Sequence, residues 1–201
     1  MLEVLVTGFP NCGTSFLCEL VAAMGFDPGS KHWLKGADDH NRYGYWEHLQ
    51  MRRWSWEAAG GKDAVMATLA GAMPEDPLPY HERAAIAIER WAGYDRVEVY
   101  KDAILPLVYH SFPAHPCIVT IGRNLKTVYG GYFADAMGAD AFVTMWARYW
   151  SLVQDMAARR DVLQVRYEDF ADDTEEAIRR VCRFVGRDYS DELRMIWRPR
   201  S

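Results

Sequence analysis

Between a short apolar run, Val4-Leu5-Val6, and an apolar-periodic segment from Phe16 to Met24 stands Gly8-Phe9-Pro10-Asn11-Cys12-Gly13-Thr14-Ser15. A strand, a glycine-bounded loop and a helix in this order can cradle a phosphate on backbone N–H groups at the helix N-terminus. The spacing Gly8-x4-Gly13 followed by Thr14-Ser15 fits a nucleotide loop except at Thr14, where an ATP-binding loop carries lysine. Pro10, Asn11, Cys12, Gly13, Thr14 and Ser15 are therefore predicted to hold an anion without the usual cation. Taken alone, the same residues also describe an ordinary capped helix following a strand.

The elements that must position this loop alternate in type. Strands are expected at Glu3 to Thr7, Val97 to Tyr100, Cys117 to Ile121 and Val162 to Val165. Helical patterns cover Thr14 to Met24, Glu47 to Ala59, Lys62 to Ala72, His81 to Trp91, Lys126 to Ala136, Ala141 to Arg160, Thr174 to Val185 and Ser190 to Ile196. Residues 26–46 form a long polar, glycine-rich loop, and the three prolines of Met73 to Pro79 break the pattern. Strands alternating with helices predict an α/β fold, a three-layer sandwich with a central parallel sheet flanked by helices. Ligands of such sheets bind beyond the carboxyl ends of the strands. Four strand ends carry marked residues here: the Gly8 to Ser15 loop, Lys101-Asp102, Arg123, and Arg166 with Glu168.

Bulk properties narrow the class. The chain has 201 residues, of which 50% are apolar, enough for one domain, residues 1–201, with a sizeable core. A net charge of −5 argues against a nucleic-acid partner. No apolar run approaches the length of a membrane span, and no signal segment is read at the start. The four cysteines, Cys12, Cys18, Cys117 and Cys182, are scattered, as in a cytoplasmic protein with buried reduced thiols. Cys12 differs from the others, because a helix N-terminus lowers the pKa of a thiol.

Several segments together resemble one family, the sulfotransferases, in its small bacterial-type branch. Thr7 to Ser15 resembles the family's 5′-phosphosulfate loop, and Asn41-Arg42-Tyr43-Gly44-Tyr45-Trp46-Glu47 resembles its Asn-Pro-[Lys/Arg]-Gly-[Tyr/Phe]-[Trp/Phe]-Glu segment. Lys101-Asp102 with Leu105, and Ile121-Gly122-Arg123-Asn124-Leu125-Lys126, resemble the Lys-Asp strand end and the 3′-phosphate motif. Trp146 to Tyr149, and Val165-Arg166-Tyr167-Glu168-Asp169-Phe170, resemble the motifs that follow. The matches fall in the family's order over nearly the whole chain.

The resemblance implies a P-loop-like domain that binds 3′-phosphoadenosine 5′-phosphosulfate (PAPS) and passes its sulfuryl group to a hydroxyl or amine of a small-molecule or glycan acceptor, with no metal. It implies phosphate contacts from Gly13, Thr14, Ser15 and Arg123. Lys126 suits a phosphate contact or a solvated face equally. Glu47 is the first candidate for general base, Asp102 the second, and Lys101 the candidate for stabilising sulfuryl charge. Each has a plainer reading, as a first-turn helix glutamate and a strand-end ion pair. Arg166 and Glu168 are expected to shape a turn. His32, His40 and His48 are expected to be solvated, Trp33 and Trp46 to wall an acceptor pocket, and Trp197 to Arg200 to fray.

Five positions depart from the family pattern: Asn11 replaces the loop Lys or Arg, Cys12 mildly replaces a small serine, Ala103 and Leu125 replace prolines, and Gly131 replaces the 3′-phosphate serine. A non-catalytic nucleotide-binding or interaction protein on the same fold is therefore the alternative, and a P-loop kinase ranks last.

Overall fold

The structure is a computed structural model that describes residues 1–39, 41, 44–71 and 81–198. Val4–Thr7 (β1) is a run of buried, mostly β-branched residues, the composition of a strand covered on both faces. It pairs in parallel with Val99–Lys101 (β2) on one side and with Cys117–Gly122 (β3) on the other, and Val162–Arg166 (β4) pairs with β3. The order is β2-β1-β3-β4. The chain leaves β1 for one edge and returns to β1's other side, so the topological switch lies between β1 and β3, where open parallel sheets bind ligands.

Register aligns the strand ends. Val6 lies opposite Lys101, Thr7 opposite Thr120, and Gly122 opposite Arg166. Parallel pairing thus brings the marked residues to one edge, although Ser15 and Lys101 are far apart in sequence.

Side chains alternate across the sheet as strand geometry requires. Leu5, Tyr100 and Ile118 face a core shared with Met51, Ile88 and Phe142. Those side chains belong to the helices Leu49–Ala58 (α2), Glu82–Tyr94 (α4) and Ala139–Ala157 (α7). Gly61–Leu69 (α3) and the short Leu105–Val108 (α5) lie on the same face. Val4, Val6, Val119 and Val165 face the other way, onto Leu17 and Val21 of Thr14–Ala23 (α1) and Ile178 and Val181 of Thr174–Val185 (α9). Helices on both faces of a parallel sheet make the three layers.

Several elements differ from the sequence expectation. The helix expected from Lys126 to Ala136 is only Leu125–Val128 (α6) followed by a π-helical turn, Tyr129–Phe133. Gly130 and Gly131 lie inside that turn, where glycine weakens α-helix. Tyr167–Asp172 (α8) was hidden by following β4 directly. Asp191–Ile196 is a 3-10 turn where a helix was expected. The proline break at Met73 to Pro79 lies outside the described residues. No helix among the described residues is long and apolar enough to cross a membrane.

Candidate functional site

The loop after β1 is shaped by two glycines. A Cβ on Gly8 would lie 2.5 Å from the Ile121 carbonyl oxygen and 2.7 Å from Thr14 Cγ2. Gly13 has φ 99°, and a Cβ there would lie 2.7 Å from the Tyr167 ring. Only glycine lets the loop press this closely on β3 and α8. Between them the buried Phe9 ring packs 5.0 Å from Trp146 and 5.3 Å from Tyr149, anchoring the loop from below. Pro10 and Asn11 stay exposed. Asn11 has φ 66°, a left-handed conformation that asparagine tolerates better than lysine does. No side chain caps α1. Its first-turn N–H groups, those of Thr14 and Ser15 included, therefore point their partial positive charge beyond the helix end.

A cation does reach this loop, from another strand. Lys101 is 2% exposed. Its Nζ donates to the Tyr45 carbonyl at 2.6 Å and to Ser15 Oγ at 3.2 Å, and lies 3.2 Å from Glu47 Oε1. The second Glu47 oxygen lies 3.2 Å from Arg52 Nε. Asn41 Nδ2 donates to Ser15 Oγ at 3.0 Å. Tyr45 and Glu47 are held by a short antiparallel ladder. In it Lys35 N–H donates to the Glu47 carbonyl at 2.9 Å, and Tyr45 N–H to the Lys35 carbonyl at 3.1 Å. His48 closes that ladder and caps α2. Its Nδ1 accepts from Met51 N–H at 3.3 Å, which leaves the proton on Nε2 for Asp95 Oδ2 at 3.2 Å.

Three expectations are corrected here. Asp102 is turned into the core, accepting from Ser55 Oγ at 2.6 Å, Tyr100 OH at 2.8 Å and Ile104 N–H at 3.2 Å. Burial raises its pKa. The residue is 1% exposed, and its carboxylate braces β2 from within. Cys12 moves opposite to expectation, because burial pushes its thiol up to about 12 and outweighs the Arg123 backbone N–H that it accepts. His48 is 1% exposed, and burial lowers its pKa against the pull of Asp95. Its meeting with Asp95, 47 residues further along the chain, follows from no local pattern.

Arg123 lies at the end of β3, its guanidinium 4.2 Å over the Tyr167 ring. No carboxylate among the described residues pairs with it. It borders a cleft of about 530 Å3 lined also by Trp146, Trp150, Arg166 and Arg180. Lys126 is exposed in the first turn of α6. Asn124 caps that turn, accepting from Lys126 N–H at 3.0 Å. Arg166 and Glu168 do shape the turn after β4. Their side chains lie 3.7 Å apart, and Glu168 accepts from Asn124 N–H at 2.8 Å. Trp197 is packed, not frayed, 4.9 Å from Phe16 and 4.8 Å from Tyr167. His40 and Arg200 lie outside the described residues. Among the described residues, no cluster of three or more His, Cys, Asp or Glu side chains is placed to hold a metal ion.

Residues 2–200 match the family described as the sulfotransferase domain. Solved structures share the fold. STF1, a sulfotransferase from Mycobacterium tuberculosis H37Rv, has a TM-score of 0.62 at 15% identity, over 97% of this chain and 70% of that one. The sulfotransferase domain of the Synechococcus PCC 7002 olefin synthase has 0.55 at 14%, over 100% and 78%. Mouse sulfotransferase SULT7A1, solved in complex with PAP, has 0.52 at 15%, over 97% and 62%. No curated protein matches.

Proposed function

We propose that this chain, which belongs to the sulfotransferase family, transfers a sulfuryl group from PAPS to a hydroxyl or amine of a small-molecule or glycan acceptor. The observation that carries the proposal is the meeting of Lys101, Ser15 and Glu47 at the mouth of the loop. The PAP complex of the mouse neighbour supports the choice of donor.

The donor's 5′-phosphosulfate rests on the first-turn N–H groups of α1 and the hydroxyls of Thr14 and Ser15. Arg123, with a guanidinium free for bidentate contact, takes the 3′-phosphate. The acceptor oxygen or nitrogen forms its bond to sulfur as the bond from sulfur to the bridging oxygen breaks, and that oxygen leaves with the electron pair as part of PAP. Lys101 neutralises the charge that develops there, the part Asn11 cannot play. Glu47 accepts the proton lost by the acceptor. Positioning and charge stabilisation supply most of such a transfer. The cation at the loop comes from β2, from the strand-end lysine, and the loop itself contributes none.

Calorimetry with PAP against ATP tests donor recognition, and transfer of labelled sulfate from PAPS to a panel of phenols, amines and glycans tests activity. PAP binding with transfer is expected. Failure to bind PAP overturns the proposal. The second reading, a nucleotide-binding protein without turnover, is favoured by the neutral Asn11 and by Gly131, which offers no hydroxyl. PAP binding without transfer to any acceptor would select it.

A further inference from the structure

A second cleft, of about 750 Å3, lies along the outer face of α1, in the size range of small-molecule sites. Ala22, Leu34, Trp46 and Ile196 give it an apolar wall, and Lys31 and Lys35 line it as well. Ser15, Glu47 and Lys101 are not in its lining. The Tyr45 carbonyl and the Glu47 carboxylate face Lys101, whereas the Tyr45 ring stands between the two sites, 5.9 Å from Lys101 Nζ and 3.4 Å from Lys35 Nζ, and Trp46 packs with the α1 side of the core.

Two features of Trp46 mark this wall. Its φ of 57° is a left-handed conformation that a bulky side chain rarely adopts, a form of strain found at ligand sites. Its indole N–H is enclosed without an acceptor among the described residues, which a settled interior rarely allows. Charge then selects the occupant. Glu19, the carboxylate in the lining, lies 3.5 Å from Arg198. Among the described residues Lys35 meets the Tyr45 ring, 3.4 Å away, whose hydroxyl donates to Asp38 at 2.9 Å, and neither lysine is ion-paired with a carboxylate. The uncompensated charge of the cleft is positive.

We infer that this cleft binds an amphiphilic anion, its apolar body against Ala22, Leu34, Trp46 and Ile196 and its carboxylate or sulfate-ester head at Lys31 and Lys35. Its lining shares no residue with the Lys101, Ser15 and Glu47 set, so the inference does not depend on the reading of the reaction given above.

The test is calorimetry of the full chain with decanoate, decyl sulfate and decyltrimethylammonium, each below its micelle-forming concentration, with and without saturating PAP. Ala23→Trp narrows the cleft from an exposed helix position, and Lys35→Glu reverses its charge. Thermal melting checks that both variants fold. One-to-one binding of at least one anion is expected. The cation should bind roughly tenfold more weakly, each variant should weaken the anion roughly tenfold, and PAP should change nothing. The stronger of the two anions identifies the head group. Absence of anion binding, equal binding of the cation, unchanged affinity in Ala23→Trp, or displacement by PAP would each overturn the inference.

Discussion

The ammonium of Lys101 lies 3.2 Å from the hydroxyl of Ser15, so the cation at the anion loop comes from the neighbouring strand. Lys101→Met is expected to slow sulfuryl transfer by roughly a hundredfold, the loss typical of one transition-state donor. It also leaves the buried Glu47 carboxylate without one of its two partners, which costs about 3 kcal/mol. Steady-state transfer from PAPS and urea unfolding measure the two effects. Unchanged turnover in a folded variant would remove Lys101 from the mechanism.

Asn11 has φ 66°. Asn11→Lys places a longer side chain in a left-handed conformation, at about 1 kcal/mol, or a fall in Tm of roughly 2–4 °C. Asn11→Gly carries no such strain and should melt within a degree or so of the parent chain. Thermal unfolding of the pair separates backbone conformation from the added charge. A turnover gain in Asn11→Lys would show that a loop cation adds to Lys101.

Gly13→Ala meets both a φ of 99° and the Tyr167 ring, 2.7 Å from the new Cβ. Affinity for PAP is expected to fall by at least about tenfold, because the loop must move off α8. Gly13→Ala combined with Tyr167→Leu relieves the contact but not the φ, so it should recover only part of the loss. Calorimetry with PAP reads both variants.

Burial holds the pKa of His48 below its ordinary value of 6.5. A group depressed in this way stabilises the fold fully above 6.5 and loses that contribution as pH falls through its folded value. Protonation also places a proton on Nδ1, against Met51 N–H. Urea midpoints should therefore drop between about pH 7 and pH 5. His48→Asn keeps an acceptor at the helix cap and removes the titration, so its profile should be flatter. Parallel profiles would exclude His48 as the source.

With its thiol pushed up to about 12, Cys12 should resist iodoacetamide at about pH 8 in the folded chain and react once it is unfolded. Mass spectrometry of the labelled peptides reads this directly.

The backbone plan was legible because it rests on local pattern. The apolar β-branched runs become the strands, and Thr174 to Val185 ends at Gly186 as the glycine requires. The loop glycines were legible for the same reason, since their spacing is itself the signal. What the sequence withheld depends on pairing across the fold. Asp102 and Lys101 are adjacent and both charged, yet strand alternation sends one to the core and the other to the loop. Cys12 looked activated by its helix end, but burial beneath Arg123 decides its chemistry. The contact of His48 with Asp95 joins two helix ends, and nothing in either neighbourhood announces it.

β2 is three residues long and stands at the edge of the described sheet. Its alignment with β1 is fixed by the pairing of Val6 with Lys101 and by Thr7 Oγ1 donating to the Asp102 carbonyl at 2.8 Å. A slip of one residue inverts every side chain of a strand. Here a slip toward the C-terminus would turn Lys101 inward and present Asp102 to Ser15, reversing the charge at the loop. Strand registration therefore acts as a polarity check: a chain that closes its edge wrongly sets a carboxylate where the ammonium now stands.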